Sequence, residues 1–198
     1  MSPILSPGYA RERFAGWFSG QRVLSGLVAV GRIISNSAEE ELLQDLKACV
    51  GGPFSVDDFC SSDQSTLKGL EQDFLQIVRH DMSRVSVTAR SRMIVEAGSG
   101  LELPWHSDMV SFVRWNVSIG EAGTEGAKGQ VCKADFDNDR LEVMLDEGLL
   151  IPETFPAGTV LRFMAGDIHR SPAEGTNRIF LSSTVSAAAY QARPHFEV

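Results

Sequence analysis

The sequence predicts an α+β fold in which helices from the N-terminal part of the chain pack on an antiparallel β-sandwich or barrel. Two observations lead to this fold class: helical patterns dominate the first eighty residues, and short runs of period two follow one another after His80. The second half shows no long helical pattern between these runs, which disfavours a parallel sheet built from βαβ units. We therefore expect one domain, mainly helical over residues 1–82 and with its β core over residues 83–190.

The helical part is expected to contain four segments. The third segment has the clearest signals, because Ser37 and Glu40 have the spacing of a capping box, leucines follow as an apolar stripe, and Gly51 and Gly52 end the pattern. The four segments are GYARERFAGWFSG (8–20), GQRVLSGLVAVGRIIS (20–35), NSAEEELLQDLKACVGG (36–52) and SSDQSTLKGLEQDFLQIVRH (61–80).

The β part is expected to contain strands wherever apolar and polar residues alternate between clusters of Gly, Pro, Asp and Asn. The DNDR segment (137–140) is expected to form a hairpin turn, and the glycine-rich GEAGTEGAKGQ segment (120–130) a loop that closes over a pocket as a lid. The alternating runs cover residues 84–98, 111–120, 130–136, 140–145, 158–166 and 178–185.

Composition excludes several classes of protein. The net charge of -8 argues against a nucleic-acid groove, which needs a clustered excess of Lys and Arg. The longest apolar stretch, 23–34, contains Arg32 and is too short to span a bilayer, and charged residues at 11–13 stand where a signal peptide needs its apolar core. We expect a cytoplasmic protein that has no membrane partner.

No CxxC spacing occurs, so free thiols are expected at Cys49, Cys60 and Cys132.

A small group of metal-ligating residue types stands out against this background. His106 and Asp108 lie two residues apart at the start of an alternating run, and in an extended segment such residues point to the same side. His169 follows a Gly-Asp turn later in the chain. Two neutral imidazoles and one carboxylate that leave further positions open are the ligand set of non-haem Fe(II) oxygenases. A surface pair within a turn is the other interpretation of His106 and Asp108.

Arg178 adds a second feature, because it begins the apolar run RIFLSSTV nine residues after His169. A buried arginine in such a run needs an anion, since an unpaired charge inside an apolar sheet is costly. A dicarboxylate cosubstrate would supply this anion.

The order His-x-Asp, then 61 residues to a second His and nine to an Arg, resembles the Fe(II)/2-oxoglutarate-dependent dioxygenases over about residues 85–190. The resemblance implies a double-stranded β-helix core (jelly roll, cupin-like) and a need for Fe(II), 2-oxoglutarate and O2. It implies that His106, Asp108 and His169 bind the iron and that Arg178 holds the far carboxylate of 2-oxoglutarate. It also implies hydroxylation of a small molecule, an amino-acid derivative or a short peptide.

Further candidates lie on strands near these residues. Arg114 and Asn116 share one face of their alternating run, where they would contact the cosubstrate or, in the alternative, solvent. Many members of the family have Ser or Thr two residues after the arginine; this chain has Phe180 there, and Ser182 one strand step later is the cosubstrate candidate. The candidates for substrate contact are Arg90, Arg92 and Trp105.

Two other functions remain open at this point. The segment FPAGTVLRFMAGDIH (155–169) also resembles the second cupin motif, so the chain is alternatively a cupin-type metalloprotein that does not use 2-oxoglutarate. The third possibility is a β-sandwich binding module without enzymatic activity, in which Asp108 and the histidines form hydrogen bonds within loops.

Overall fold

The structure is a computed structural model that describes residues 9–33, 53–54, 61–82, 85, 95–99, 104–107, 111–120, 123–135, 137–171 and 178–186. The described chain combines helices with antiparallel sheets, in agreement with the predicted mixture of the two.

Three α-helices lie in the described part of the chain: α1 (Tyr9–Phe18), α2 (Ser61–Met82) and α3 (Asn138–Asp146). Helices α1 and α2 confirm the first and fourth predicted helical segments. Helix α2 buries Leu70, Phe74 and Val78, which recur every four residues and so form one apolar face. The third predicted helix, 36–52, falls outside the described residues.

The second predicted helix is wrong. Residues of this segment form two strands, β1 (Val23–Ser25) and β2 (Val28–Arg32). Their valines favour extended backbone, and each strand gains a neighbour: β1 pairs with residues 129–131 and β2 with residues 159–162. Pairing partners more than a hundred residues away are invisible in a local pattern, which here resembled an apolar helix.

One antiparallel sheet contains β2 and five further strands: β3 (Pro53–Phe54), β4 (Val95–Ser99), β5 (Ser111–Gly120), β8 (Thr159–Met164) and β10 (Arg178–Ser186). Their order in the sheet is β2-β8-β5-β10-β4-β3. Its centre is β5, which pairs with β10 along nearly its whole length and with β8 on the other side. This sheet confirms the alternating run at 111–120 as a strand, and the runs at 158–166 and 178–185 contain or overlap β8 and β10.

The second antiparallel sheet has four strands around β6 (Thr124–Val131). Strand β7 (Leu150–Phe155) lies along one edge of β6, while β1 and β9 (Ile168–Arg170) follow each other along the opposite edge. Because β6 is paired on both edges, the expected lid over 120–130 is wrong: residues 124–130 are part of a sheet.

The segment after β6 also differs from its prediction. The run 130–136 is a strand only at its start and then forms a 3-10 turn, Lys133–Asp135. The predicted turn 137–140 and strand 140–145 are one helix, α3, whose N-cap is Asp137: its carboxylate accepts a hydrogen bond from the Asp139 N–H at 3.1 Å. Leu141 and Met144, three residues apart, are the buried face.

Apolar side chains form three clusters around the two sheets. The largest packs α2 against one face of the six-stranded sheet, with Phe74 and Trp115 fully buried. The second packs α1 and α3 against the four-stranded sheet around Trp17. The third consists of Leu27, Leu161 and Phe163, with Phe155 packed against them. This cluster connects the two sheets, because Phe155 belongs to β7 and Phe163 to β8.

Among the described residues, no helix is both long and apolar enough to cross a membrane. The thiol of Cys132 is free, as predicted, whereas Cys49 and Cys60 fall outside the described residues.

Candidate metal centre

His106 and His169 meet at the edge of the four-stranded sheet. The two residues form an antiparallel β-bridge, in which each backbone N–H donates to the other residue's carbonyl oxygen at 2.9 Å. Residues directly opposite each other in such a pair project to the same face. Accordingly, the centroids of the two imidazole rings are 4.2 Å apart.

Each imidazole is oriented by a backbone carbonyl two residues earlier in the chain. His106 Nδ1 lies 2.7 Å from the oxygen of Pro104, and His169 Nδ1 lies 3.1 Å from the oxygen of Asp167. A carbonyl oxygen only accepts, so Nδ1 is the donor in both hydrogen bonds. A neutral imidazole protonated on Nδ1 has its lone pair on Nε2, and this arrangement is typical of metal-binding histidines.

A tight turn between β8 and β9 sets the position of His169. Gly166 has φ +84°, and the Asp167 N–H donates to the Met164 oxygen at 2.9 Å. A Cβ atom on Gly166 would lie 2.4 Å from Val23 Cγ2 and 2.9 Å from Trp17 Cε3, so the site requires glycine for both backbone and space.

Two serines attach this turn to neighbouring segments. The Gly166 N–H donates to Ser107 Oγ at 3.1 Å, which joins the turn to the residue between His106 and Asp108. The Ile168 N–H donates to Ser25 Oγ at 2.9 Å, and that hydroxyl donates to the Ala127 oxygen at 2.6 Å. Both serines are buried.

The Asp167 carboxylate binds three donors inside the protein. Arg13 of α1 forms a buried salt bridge with it, and the N–H groups of Gly26 and Met164 donate to it at 3.0 and 2.7 Å. Burial raises the pKa of Asp167 above its ordinary value, although the Arg13 guanidinium and the two N–H groups act in the opposite direction. Arg13 Nε also donates to the Ala165 oxygen at 3.0 Å.

The His169 ring faces the six-stranded sheet. It contacts the Phe163 ring in an edge arrangement, with 4.5 Å between the ring centroids. Phe163 of β8 is the cross-strand partner of Arg114, and Leu161 is the partner of Asn116, so these side chains share the sheet face that is turned toward His169.

The polar candidates on this face differ in their partners. Arg114 Nε donates to Thr184 Oγ1 at 3.1 Å. Asn116 lies opposite Ser182 of β10, and its Oδ1 atom is buried with no hydrogen-bond partner among the described residues. Since buried polar atoms are normally satisfied, the Asn116 amide is a candidate for ligand contact.

The side of β9 that faces away from the His169 ring is covered by packed side chains. Trp105 is 3 % exposed, belongs to the cluster around Trp17, and lies under the Arg170 guanidinium, whose Cζ is 4.6 Å from the ring centroid. This burial leaves little of the Trp105 ring for the predicted substrate contact. Arg170 also pairs with Glu125.

Several predicted site residues lie wholly or partly outside the described part of the chain. Asp108, Arg90 and Arg92 fall outside the described residues. The backbone of Arg178 pairs with Gly120 at the beginning of β10, and its side chain falls outside the described part. Within the described residues, no group of three His, Cys, Asp or Glu side chains is arranged to hold a metal.

Arg13, Ser107 and the carboxylate of Asp167 are parts of this site that the sequence patterns do not predict. The sequence predicts Asp167 only as a turn residue, although its place two residues before a candidate ligand is the one available signal. Arg13 lies 154 residues from Asp167, and no local pattern relates the two.

No family model matches the chain, and no curated protein matches it. Two solved structures of EctD from S. alaskensis are similar to it, the apo form with a TM-score of 0.41 and the form with bound Fe with a TM-score of 0.39. Both share 16 % sequence identity with this chain, and the alignments cover 93 % of this chain and 78 % of the EctD chain. The likeness is distant at these values.

Proposed function

We propose that the chain is an oxygenase dependent on Fe(II) and 2-oxoglutarate that hydroxylates a small molecule, an amino-acid derivative or a short peptide. In this proposal His106, Asp108 and His169 bind the iron. The supporting observation is the His106–His169 bridge, in which two imidazoles far apart in sequence lie ring beside ring and both donate Nδ1–H to carbonyl oxygens.

The donor set suits a divalent iron. Two Nε2 lone pairs on neighbouring strands form one side of a site, and Asp108 follows His106 by two residues as the proposed third ligand. Ser107 lies between these two residues in the chain, and its hydroxyl accepts a hydrogen bond from the Gly166 N–H. This hydrogen bond helps to hold the segment against the turn before His169. Bound iron supplies the reactivity toward O2 that amino-acid side chains lack.

The order of the strands supports a jelly-roll core. Along the chain, β4 lies in the six-stranded sheet, the His106 bridge joins the other sheet, β5 returns to the first, and β6 and β7 again belong to the second. Strands β8, β9 and β10 continue this alternation. We infer that the two sheets face each other as the layers of a double-stranded β-helix.

The cosubstrate is proposed to bind between the sheets. Asn116 and Ser182 are cross-strand partners on the face turned toward His169, and turning the Asn116 amide over would present Nδ2 to a carboxylate oxygen. Arg178, at the beginning of β10, is the proposed partner of the far carboxylate. Arg114, held by Thr184 on the same face, is a further candidate.

Apolar residues beside the histidines would keep water away from the reaction. Phe163 touches the His169 ring, and Leu161 and Leu27 pack in the same cluster. A dry wall of this kind strengthens electrostatic interactions and protects reactive species from side reactions.

The test is anaerobic reconstitution with Fe(II), followed by an assay for succinate formed from 2-oxoglutarate under O2. We expect one iron per chain in the wild type and none in His169→Ala, while Arg178→Ala keeps the iron and has a many-fold weaker affinity for 2-oxoglutarate. His80→Ala, which removes an exposed histidine in the last turn of α2, is the matched control and should retain both.

The outcomes separate the three functions. Iron without succinate would identify a cupin-type metalloprotein, and neither iron nor succinate would identify a binding module. An unchanged 2-oxoglutarate affinity in Arg178→Ala would show that the arginine has been assigned the wrong role.

A further inference from the structure

The geometry points to Arg13 of helix α1 as a positioning residue for His169, acting through Asp167. This inference rests on the metal site proposed above. Arg13 acts through the polar groups of the turn before His169: it determines where the Asp167 carbonyl that orients His169 lies, and through this carbonyl which ring nitrogen is available to a metal.

Asp167 connects the two residues because its backbone and side chain have different partners. Its carbonyl oxygen accepts the Nδ1–H of His169, and its carboxylate binds Arg13 together with the N–H groups of Gly26 and Met164. The side chains of Arg13 and Asp167 are only 8 % and 3 % exposed. A buried, multiply bonded side chain of this kind fixes its own peptide group as well.

The Arg13 guanidinium holds the turn on both sides of Gly166. One nitrogen binds the Asp167 carboxylate, and Nε donates to the Ala165 oxygen at 3.0 Å. The planar arrangement of the guanidinium donors allows one side chain to make both contacts in a fixed geometry. Gly166 lies at the bend of this turn with φ +84°, so contacts on either side of it help to set the orientation of the Asp167 carbonyl.

The consequence concerns the His169 tautomer. A neutral imidazole chooses between Nδ1–H and Nε2–H according to its hydrogen-bond partners. With the Asp167 carbonyl in place, Nδ1–H is favoured and Nε2 has the lone pair. If the carbonyl turns away, the Nε2–H form becomes populated, and metal binding through Nε2 then requires that this proton moves to Nδ1.

The experiment measures the His169 tautomer and metal affinity in the same variants. Long-range ¹H–¹⁵N NMR correlations on the metal-free full chain report which ring nitrogen is protonated. Titration with Co(II), a redox-stable substitute for Fe(II), reports the affinity. The variants are Arg13→Gln, Arg13→Lys and, as matched control, Arg22→Gln, which removes a largely exposed arginine 3.7 Å from Asp135.

We expect the Nδ1–H form of His169 in the wild type and in Arg22→Gln. Arg13→Gln should show a mixture of both tautomers and about 10- to 100-fold weaker Co(II) binding, the effect typical of losing a residue that orients a metal ligand. Arg13→Lys keeps a cation against Asp167 but not the planar pair of contacts, so it should show a smaller shift in the same direction.

A wild-type tautomer in folded Arg13→Gln would overturn the inference, whatever happens to metal affinity or thermal stability. If Arg13→Gln does not fold, a wild-type tautomer in Arg13→Lys would overturn it in favour of a purely structural role. Failure of the proposed function is recognised separately: the wild type would then form no succinate from 2-oxoglutarate, whether or not it binds Co(II), while the tautomer measurement would still decide the role of Arg13.

Discussion

Replacement of Gly166 by alanine tests whether the turn before His169 is fixed by both backbone conformation and packing. The residue has φ +84°, in the left-handed region, where a Cβ atom costs about 1–2 kcal/mol. The new Cβ would also lie 2.4 Å from Val23 Cγ2 and 2.9 Å from Trp17 Cε3. Overpacking of a filled core costs about 1–3 kcal/mol, so the expected total is about 2–5 kcal/mol.

Gly148→Ala provides the matched control. Gly148 has φ +70°, and nothing lies within 4 Å of a Cβ built on it. This variant should therefore lose only the backbone contribution, about 1–2 kcal/mol. The difference between the two variants isolates the packing of the turn against Trp17.

Urea denaturation at 25 °C, followed by circular dichroism, measures both free energies of unfolding. Equal losses in the two variants would refute the packing argument. Co(II) titration of the same proteins adds a functional readout: Gly166→Ala should bind Co(II) more weakly than Gly148→Ala, and equal affinities would show that the turn does not set the position of His169.

Three further predictions follow from buried polar groups. Asp81→Ala removes the carboxylate that accepts from Arg162 at 2.9 Å on both oxygens and from the Trp115 Nε1–H at 2.9 Å. The buried guanidinium left without a partner should lower the free energy of unfolding by about 3–5 kcal/mol, measured in urea. Asp135→Asn should destabilise the chain at neutral pH but progressively less as the pH falls below 3.8, the ordinary pKa of this carboxyl, in urea titrations over a pH series. Ser107→Ala leaves the buried N–H of Gly166 without its acceptor, so the free energy of unfolding should fall by about 1–3 kcal/mol and Co(II) affinity should fall as well.

The sign for Asp135 follows from its surroundings. Burial raises the pKa of this carboxyl, but hydrogen bonds from the Cys132 N–H and Sγ, with the charges of Arg22 and Arg140, outweigh burial and lower the pKa overall. A depressed pKa in the folded state stabilises the protein above the unfolded-state value, and the contribution is lost as the pH falls through the folded-state value. A stability difference that stays constant down to pH 2 would contradict this reasoning.

The predictions for Asp81→Ala and Ser107→Ala have equally direct tests. The double variant Asp81→Ala with Arg162→Met should regain much of the stability lost in the single variant, because no unpaired charge remains and only the Trp115 N–H has lost its acceptor. If it does not, the loss comes from something other than the buried guanidinium. Unchanged Co(II) affinity in Ser107→Ala would show that its bond to Gly166 does not hold the metal site together.

Local sequence patterns were sufficient to predict a helix or strand whose own residues determine which of its sides is buried. The helical pattern of 61–80 predicted α2, and alternation along 111–120 predicted β5, because each pattern has a single regular conformation that buries its apolar side. The same reasoning was wrong for 140–145, where Leu141, Val143 and Leu145 alternate as they would in a strand. Leu141 and Met144 also share one face of a helix, and the Asp137 cap decided for the helix.

The sequence by itself determined the chemistry available to this protein: two histidines and an aspartate of metal-ligating type, and the alternation that makes sheets of its second half. Only the tertiary structure decided that His106 and His169 lie ring beside ring, that residues 23–32 are strands, and that Arg13 reaches Asp167. The physical reason is that residue type sets what a side chain can bond, whereas its partner is chosen by strand pairing and close packing between segments distant in the chain.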